Sequence, residues 1–252
     1  MAPKNSPKTF DERVAFLKEK AKDVRFRIVD MIHTAQSGHP GGSLSAADIV
    51  TALYFDILNV DPKKPRDPGR DRFVLSKGHA CPVWYANLAL RGFFSLEELK
   101  TLRKFESKLQ GHPVSTKTPG VDATTGSLGI GFGQAVGMAL EGKMLKKNYK
   151  VYALLGDGEL QEGIAWEAAG SANKFKLDNL VAIVDNNGLQ NDGFSKDIMP
   201  MEPIDKKFEA FGWTVKRING HRMEEVLAAL DEAKAHRGTP FCIVAATVKG
   251  RG

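Results

Sequence analysis

Val151-Tyr152-Ala153-Leu154-Leu155-Gly156-Asp157-Gly158-Glu159 places an unbroken apolar run directly before a carboxylate flanked by glycines. Thirty positions after Asp157 the arrangement recurs, with Leu180-Val181-Ala182-Ile183-Val184 running into Asp185-Asn186-Asn187-Gly188. Short apolar runs bounded by turn residues read as strands of a parallel sheet, buried on both faces. Between them, Ile164 to Phe175 reads as a helix. The unit is therefore β-α-β, with Asp157 and Asn187 at strand carboxyl ends, where open α/β sheets bind ligands. A carboxylate and an amide oxygen suit Mg²⁺, which takes six oxygens and draws several of them from phosphates and water. The glycines let backbone approach a phosphate closely. Either motif alone is ordinary turn chemistry; their pairing at two strand ends is what gives them weight.

Working outward, the chain reads as one α/β unit spanning residues 1–252, a parallel sheet with helices on both faces. Phe73 to Leu75, Trp213 to Ile218 and Phe241 to Val248 supply further strands. Phe10 to His33 is helical, because Val14, Leu17, Ala21, Val24, Ile28 and Met31 recur at three- and four-residue steps, and Thr9 is its N-cap. Further helices are expected from Ser45 or Ala46 to Leu58, Pro82 to Leu90, Lys206 to Phe211 and Met223 to His236. Ser95-Leu96-Glu97-Glu98 has the capping-box pattern and predicts a helix from Leu96 to Phe105. The glycine-rich stretch Thr124 to Gly133 feeds a helix reaching about Lys147. Residues 61–70, 110–122 and 190–203 read as loops.

Composition narrows the function classes. The 252 residues are 42% hydrophobic and 26% charged, which is ordinary for a globular chain. The longest clear apolar run, Phe241 to Val248, is far short of a membrane span, so no membrane partner is expected. The N-terminal eight residues have no apolar signal core, and Cys81 and Cys242 stand outside any CxxC pair. Both features point to a cytoplasmic, reducing location. The formal net charge is +6 and lysines cluster in residues 143–150. Without aromatic-basic interleaving this is a solvated face with a bias toward anionic metabolites, and nucleic acid is not expected. Gly137-x-x-x-x-Gly142-Lys143-Met144 approximates a phosphate-binding loop, but Met replaces Ser/Thr and the stretch lies within a helical pattern.

Three further segments carry histidine beside glycine or proline: Ser37-Gly38-His39-Pro40-Gly41-Gly42, Leu75-Ser76-Lys77-Gly78-His79-Ala80 and Gly111-His112-Pro113. Taken in order with Thr124-Thr125-Gly126-Ser127-Leu128-Gly129 and the Gly-Asp-Gly…Asn pair, they resemble the transketolase family over about residues 10–250. The resemblance implies a thiamine diphosphate-binding fold in which Asp157, Asn187 and the Leu189 carbonyl hold Mg²⁺ or another divalent cation. It implies that His39 and His112 line the reaction centre as hydrogen-bond partners and proton shuttles. Glu162 would join an acidic network between paired sites. His79, Gly126, Leu128, Gly158 and Asn187 would contact the cofactor.

The implied activity is reversible transfer of a two-carbon ketol unit from a ketose phosphate to an aldose phosphate. The family's pyrimidine-binding domain has no counterpart here. The resemblance therefore implies a separate C-terminal subunit carrying that domain, assembled as a dimer of heterodimers, with this chain inactive alone. A truncated piece of a longer protein is the other reading of the same fact. Rival functions are another thiamine diphosphate activity, such as deoxyxylulose-phosphate synthesis, 2-oxoacid decarboxylation or a specialised sugar-phosphate ketol transfer, or a non-catalytic paralogue.

Overall fold

The chain was analysed as a computed structural model that describes residues 9–190 and 193–252; the N-terminal segment read for a signal core lies outside the described residues. Strands β1 (Arg72–Leu75), β2 (Val151–Gly156) and β3 (Leu180–Asn186) lie side by side in that order. A short hairpin, β4 (Leu189–Gln190) and β5 (Gly193–Phe194), follows, and then β6 (Thr214–Asn219) and β7 (Phe241–Ala246) complete the main sheet. Its order is β1-β2-β3-β7-β6 and every neighbouring pair is parallel. Gly156 is in register with Asp185, and Asp185 with Ala245, so three strands end level beneath the Gly-Asp-Gly turn.

The strands are nearly continuous apolar runs because both faces are covered. One face carries Phe73, Leu75, Tyr152, Leu154, Val181, Ile183, Phe241 and Ile243. Against it pack α1 (Phe10–Ala35), α2 (Pro40–Ser45), α3 (Ala47–Ala52), α4 (Cys81–Arg91) and, much later in the chain, a helix at Met223–Ala235. The opposite face, with Val74, Ala153, Leu155, Ala182, Val184 and Val244, packs against α5 (Ile130–Met144) and α6 (Gly163–Lys174). A short α7 (Ser195–Ile198) precedes α8 (Ile204–Ala210), which joins that second layer, and the Met223–Ala235 helix is α9.

Helix α1 starts where Thr9 predicts. The Thr9 Oγ1 accepts from the Glu12 N–H at 3.2 Å and Glu12 returns a carboxylate oxygen to the Thr9 N–H at 2.9 Å. All six residues of its expected apolar stripe are buried. The near phosphate-loop stretch, Gly137 to Lys143, lies inside α5 as its pattern requires. Among the described residues, no helix is long and apolar enough to cross a membrane.

Four expectations need correction. The second helix begins at Pro40 instead of Ser45 or Ala46, since proline at the first helical position is already set for the turn and outweighs Gly41 and Gly42. It breaks between α2 and α3 and ends in a wider π-turn over Leu53–Ile57, where the Leu58 N–H reaches the Leu53 carbonyl at 2.8 Å. The Ser95 capping box does not form. Leu96–Thr101 is a 3₁₀ turn, because the chain doubles back and the Arg103 N–H goes to the Leu109 carbonyl at 2.9 Å. Residues 190–203, read as loop, contain the β4–β5 hairpin and α7, apart from the undescribed pair 191–192. The last strand stops at Ala246 instead of Val248: the Val248 N–H is taken by His221 Nε2 at 2.8 Å and the Thr247 hydroxyl by Asp185.

Candidate active site

Asp157 follows the last residue of β2 and is only 3% exposed. Its Oδ1 accepts from the Gly158 N–H at 3.0 Å, while Oδ2 accepts from the Gly188 N–H at 3.0 Å and the Ser195 hydroxyl at 2.9 Å. The Gly188 bond fastens the Gly-Asp-Gly turn to the turn after β3. There the Asn187 Oδ1 accepts from the Leu189 N–H at 3.1 Å. A carboxylate, an amide oxygen and the backbone amides of Gly188 and Leu189 are thus tied into one knot at the ends of β2 and β3. Among the described residues no salt bridge neutralises Asp157, whose pKa is raised, first by burial and also by the nearby Asp185, against the lowering effect of its hydrogen bonds. A buried carboxylate with neutral partners and oxygen-rich neighbours fits a hard divalent cation.

The three histidines come from three separate loops and converge. His39 sits at the start of α2, and its ring meets that of His79 edge-on, with centroids 5.3 Å apart. Gly126 lies beside His112: a methyl group built on it would stand 3.5 Å from the imidazole. All three pKa values are lowered. For His39 and His112 partial burial leads, followed by the charge of Arg103. His79 is pushed down to about 3 by burial, then by Lys77, the other two histidines and Lys249. Near neutral pH the cluster consists of uncharged imidazoles, each able to donate at one nitrogen and accept at the other.

Glu159 fastens the loops that carry these groups. It is buried, and one carboxylate oxygen accepts from the Ser76 hydroxyl and from the Gly129 N–H at 2.7 Å. The other accepts from the Gly156 N–H at 3.1 Å. Gly129 is required where it stands. Its φ is +82° and any Cβ would meet the Ile164 side chain at 2.4 Å, so the glycine-rich loop closes against the start of α6. Gly78 is required for a different reason. A Cβ there would fall 2.7 Å from the Thr125 hydroxyl and 3.0 Å from the Gly126 N, so the His79 loop lies directly on the Gly126 loop.

The expected site residues divide into groups. Asp157, Asn187 and Leu189 form the oxygen knot, with Gly158 bonded to it, while His39, His79, His112 and Gly126 form the imidazole cluster. Leu128 is half-buried in the glycine-rich loop. Glu162 stands apart on the exposed rim as the N-cap residue of α6. Its side chain makes no cap bond and lies next to Gly129. Sequence reasoning missed Glu159, Lys77, Asp185, Arg103 and Lys249. Arg103 donates to the Ser37 hydroxyl at 2.9 Å from a backbone with φ +60°, and nothing in its local sequence marks it. Glu159 could have been suspected as an acid locked between a buried strand and a helix start.

Comparison with known proteins gives one consistent result. Residues 17–252 match the family described as transketolase, thiamine diphosphate binding domain. The chain is 44% identical to the 6-deoxy-6-sulfo-D-fructose transketolase subunit SqwG of a Clostridium species, over 94% of this chain and 86% of that protein. It is 43% identical to an apulose-4-phosphate transketolase subunit of Phocaeicola vulgatus, over 95% and 85% respectively. Human transketolase is 46% identical over 96% of this chain, which spans only 38% of the human protein. The crystal structure of Campylobacter jejuni transketolase superposes with a TM-score of 0.88 at 41% identity, covering 92% of this chain and 38% of that one. The paired strand-end motifs and these matches agree: this chain belongs to the transketolase family and is its thiamine diphosphate-binding part.

Proposed function

We propose that this chain is the diphosphate-binding half of a two-chain transketolase, residues 1–252 acting as one domain. With a C-terminal subunit carrying the pyrimidine-binding domain, it transfers a two-carbon ketol unit reversibly from a ketose phosphate to an aldose phosphate. The observation that carries this reading is the meeting of three uncharged imidazoles beside a cation-ready oxygen knot at one end of a parallel sheet. The subunit names of relatives whose length it nearly fills support the division into two chains. Assembly is as a dimer of heterodimers in the cytoplasm; the two cysteines, both free and buried, suit a reducing compartment.

Asp157, Asn187 and the Leu189 carbonyl hold Mg²⁺ or another divalent cation. The amides of Gly158 and Gly126 and the ring of His79 would hold the diphosphate, the Gly158 amide being shared with Asp157 Oδ1, and Leu128 would pack on the cofactor rings. Thiamine diphosphate, when bound, supplies the nucleophilic carbon and the electron sink that allow a ketose to be cleaved between its second and third carbons. His39 and His112 hydrogen-bond the sugar hydroxyls, take up the proton that a hydroxyl releases, and return it to the acceptor. Their lowered pKa values keep a free lone pair for that task. Glu162, exposed on the rim, extends toward the acidic network of the assembled enzyme.

The experiment is reconstitution. Chain, pyrimidine-domain partner, Mg²⁺ and thiamine diphosphate together should convert a ketose phosphate and an aldose phosphate, whereas the chain alone should be silent. Activity without the partner would contradict the division of labour. The names of the two subunit relatives favour a second reading, ketol transfer on a specialised sugar. A donor panel of common ketose phosphates, apulose-4-phosphate, 6-deoxy-6-sulfo-D-fructose and pyruvate separates these readings. A complex that loads cofactor and turns over none of them would be a non-catalytic paralogue.

A further inference from the structure

Beneath the histidines lies a charge pair that the proposed chemistry does not use. Lys77 is 1% exposed and Asp185 fully buried, and the two form a salt bridge. The Lys77 ammonium also donates to the Gly42 carbonyl at 2.9 Å. Asp185 accepts in addition from the Ser45 hydroxyl at 2.5 Å and from the Thr247 hydroxyl. It ends level with Gly156, and its own carbonyl accepts from the Asp157 N–H at 3.3 Å. One ion pair therefore joins the turn bearing His39, the loop bearing His79, the end of β3 two residues before Asn187, and the segment after β7.

We propose that Lys77 is a positioning residue of the site: through Asp185 and the Gly42 carbonyl it fixes the two histidine-bearing turns against the strand ends that carry the oxygen knot. The inference rests on the reading of the site given above. Replacing a buried ion pair with apolar side chains is commonly neutral for stability or better, so the fold alone does not explain a lysine here. What the lysine adds is reach. Its stem passes along Gly156, where a Cβ would lie 3.6 Å from the Lys77 Cδ, and its head meets one acceptor in α2, the Gly42 carbonyl, and one in β3, the Asp185 carboxylate. His39 packs on His79, and His79 lies two residues beyond Lys77, so a shift of Lys77 moves both rings. The cationic head also faces His79, together with His39, His112 and Lys249, and helps keep that ring uncharged.

The test uses the full chain with two variants. Lys77→Met combined with Asp185→Asn removes both charges at once, so no buried carboxylate is stranded, and Asn keeps an acceptor for one of the Ser45 and Thr247 hydroxyls and offers its NH2 to the other. Lys77→Arg keeps the charge but changes the reach and the fork of donors. Histidine ring titration by NMR on the chain alone should show the His79 pKa rising in the double variant, where the ammonium that faces the ring is lost, and unchanged in Lys77→Arg. Magnesium-dependent uptake of thiamine diphosphate by the complex with the partner should weaken roughly 10- to 100-fold in both variants, as for other supporting partners of a metal site.

Wild-type cofactor affinity in Lys77→Arg, or in a folded double variant whose His79 titrates as before, would overturn the inference. A double variant that does not fold leaves the Lys77→Arg affinity to decide. If the wild-type complex itself takes up no cofactor, the proposed function fails, and the inference is then judged by the His39–His79 ring contact in NMR spectra of the folded double variant: its loss supports the positioning role and its persistence overturns it.

Discussion

The two ends of the central sheet handle charge in opposite ways. At the amino end, cations serve backbone. Lys150 donates to the Asp178 and His236 carbonyls at 3.0 and 3.3 Å, Lys143 to the Lys176 carbonyl, and Arg237 to the carbonyls of Lys234, Ala235 and His236. These are helix ends and strand entrances whose oxygens would otherwise lack partners. Even the buried carboxylate there, Asp71, accepts backbone N–H groups from Asn59 and Lys150, both at 2.8 Å. At the carboxyl end, Asp157, Glu159, Asp185 and Lys77 are all nearly out of water and cross-link loops distant in sequence. Burying charge costs stability unless each group is fully partnered. Buried charge is not confined to the carboxyl end, since Asp71 and the Arg70–Asp122 pair lie at the strand entrances; what sets the carboxyl end apart is that its buried charges cross-link the loops that carry the candidate site.

Asp157→Ala should give the largest effect. It removes the one negatively charged oxygen donor of the knot, so magnesium-dependent uptake of thiamine diphosphate by the assembled complex should fall roughly 100-fold or more. Calorimetry showing wild-type affinity would remove the metal assignment and with it the contrast between the two ends. Glu159→Ala comes next and acts on the fold. It strands the Ser76 hydroxyl and the amides of Gly129 and Gly156, each at about 1–3 kcal/mol. Urea unfolding should register a loss of about 3 kcal/mol or more. A loss under about 1 kcal/mol would mean that the glycine-rich loop is held by something else.

A pH series sharpens the contrast without touching the proposed metal ligands. His79 is pushed from 6.5 down to about 3 in the folded chain, by burial and then by Lys77 and its other cationic neighbours. The unfolded chain therefore binds that proton more readily. The stability this group contributes is fully present above pH 6.5 and is lost as the pH falls toward about 3. The loss runs at about 1.4 kcal/mol per pH unit. His79→Gln should flatten the acid limb by about that slope, measured as unfolding free energy against pH. An unchanged limb would mean that His79 is solvated.

Much of the fold was legible because a doubly covered parallel strand spells itself as an unbroken apolar run, and both strands of the opening motif were found in this way. The site was legible in pieces. Each histidine advertises itself beside glycine or proline, yet no spacing rule brings together positions as distant as 39, 79 and 112; that grouping came through family resemblance. The Lys77–Asp185 pair was not legible at all, because its partners are 108 residues apart and each lies in a motif with another apparent purpose. Local patterns also gave unequal returns. Thr9 with Glu12 and Ser95 with Glu98 share one capping signature, and only the first forms the capping box. The difference is tertiary: the Leu109 carbonyl claims the Arg103 N–H and turns the chain before an α-helix can build.

The smallest predicted effect is the one most able to break the comparison. Lys150 is half-buried at the entrance of β2, and its pKa is drawn down to about 8 by burial and then by the charge of Arg237. Taken alone, that perturbation would mark Lys150 as a functional group. The hydrogen bonds say otherwise, since its ammonium meets two carbonyl oxygens. Lys150→Met keeps the aliphatic stem and removes only the donor. It should therefore cost about 1–2 kcal/mol in unfolding free energy for the carbonyls left without a partner. Cofactor affinity and ketol transfer in the assembled complex should stay within about twofold of wild type, well inside a 1 kcal/mol difference. A tenfold loss of cofactor affinity instead would mean that the two ends of the sheet are energetically coupled, and that carbonyl capping at the strand entrances helps to set the loops at their exits.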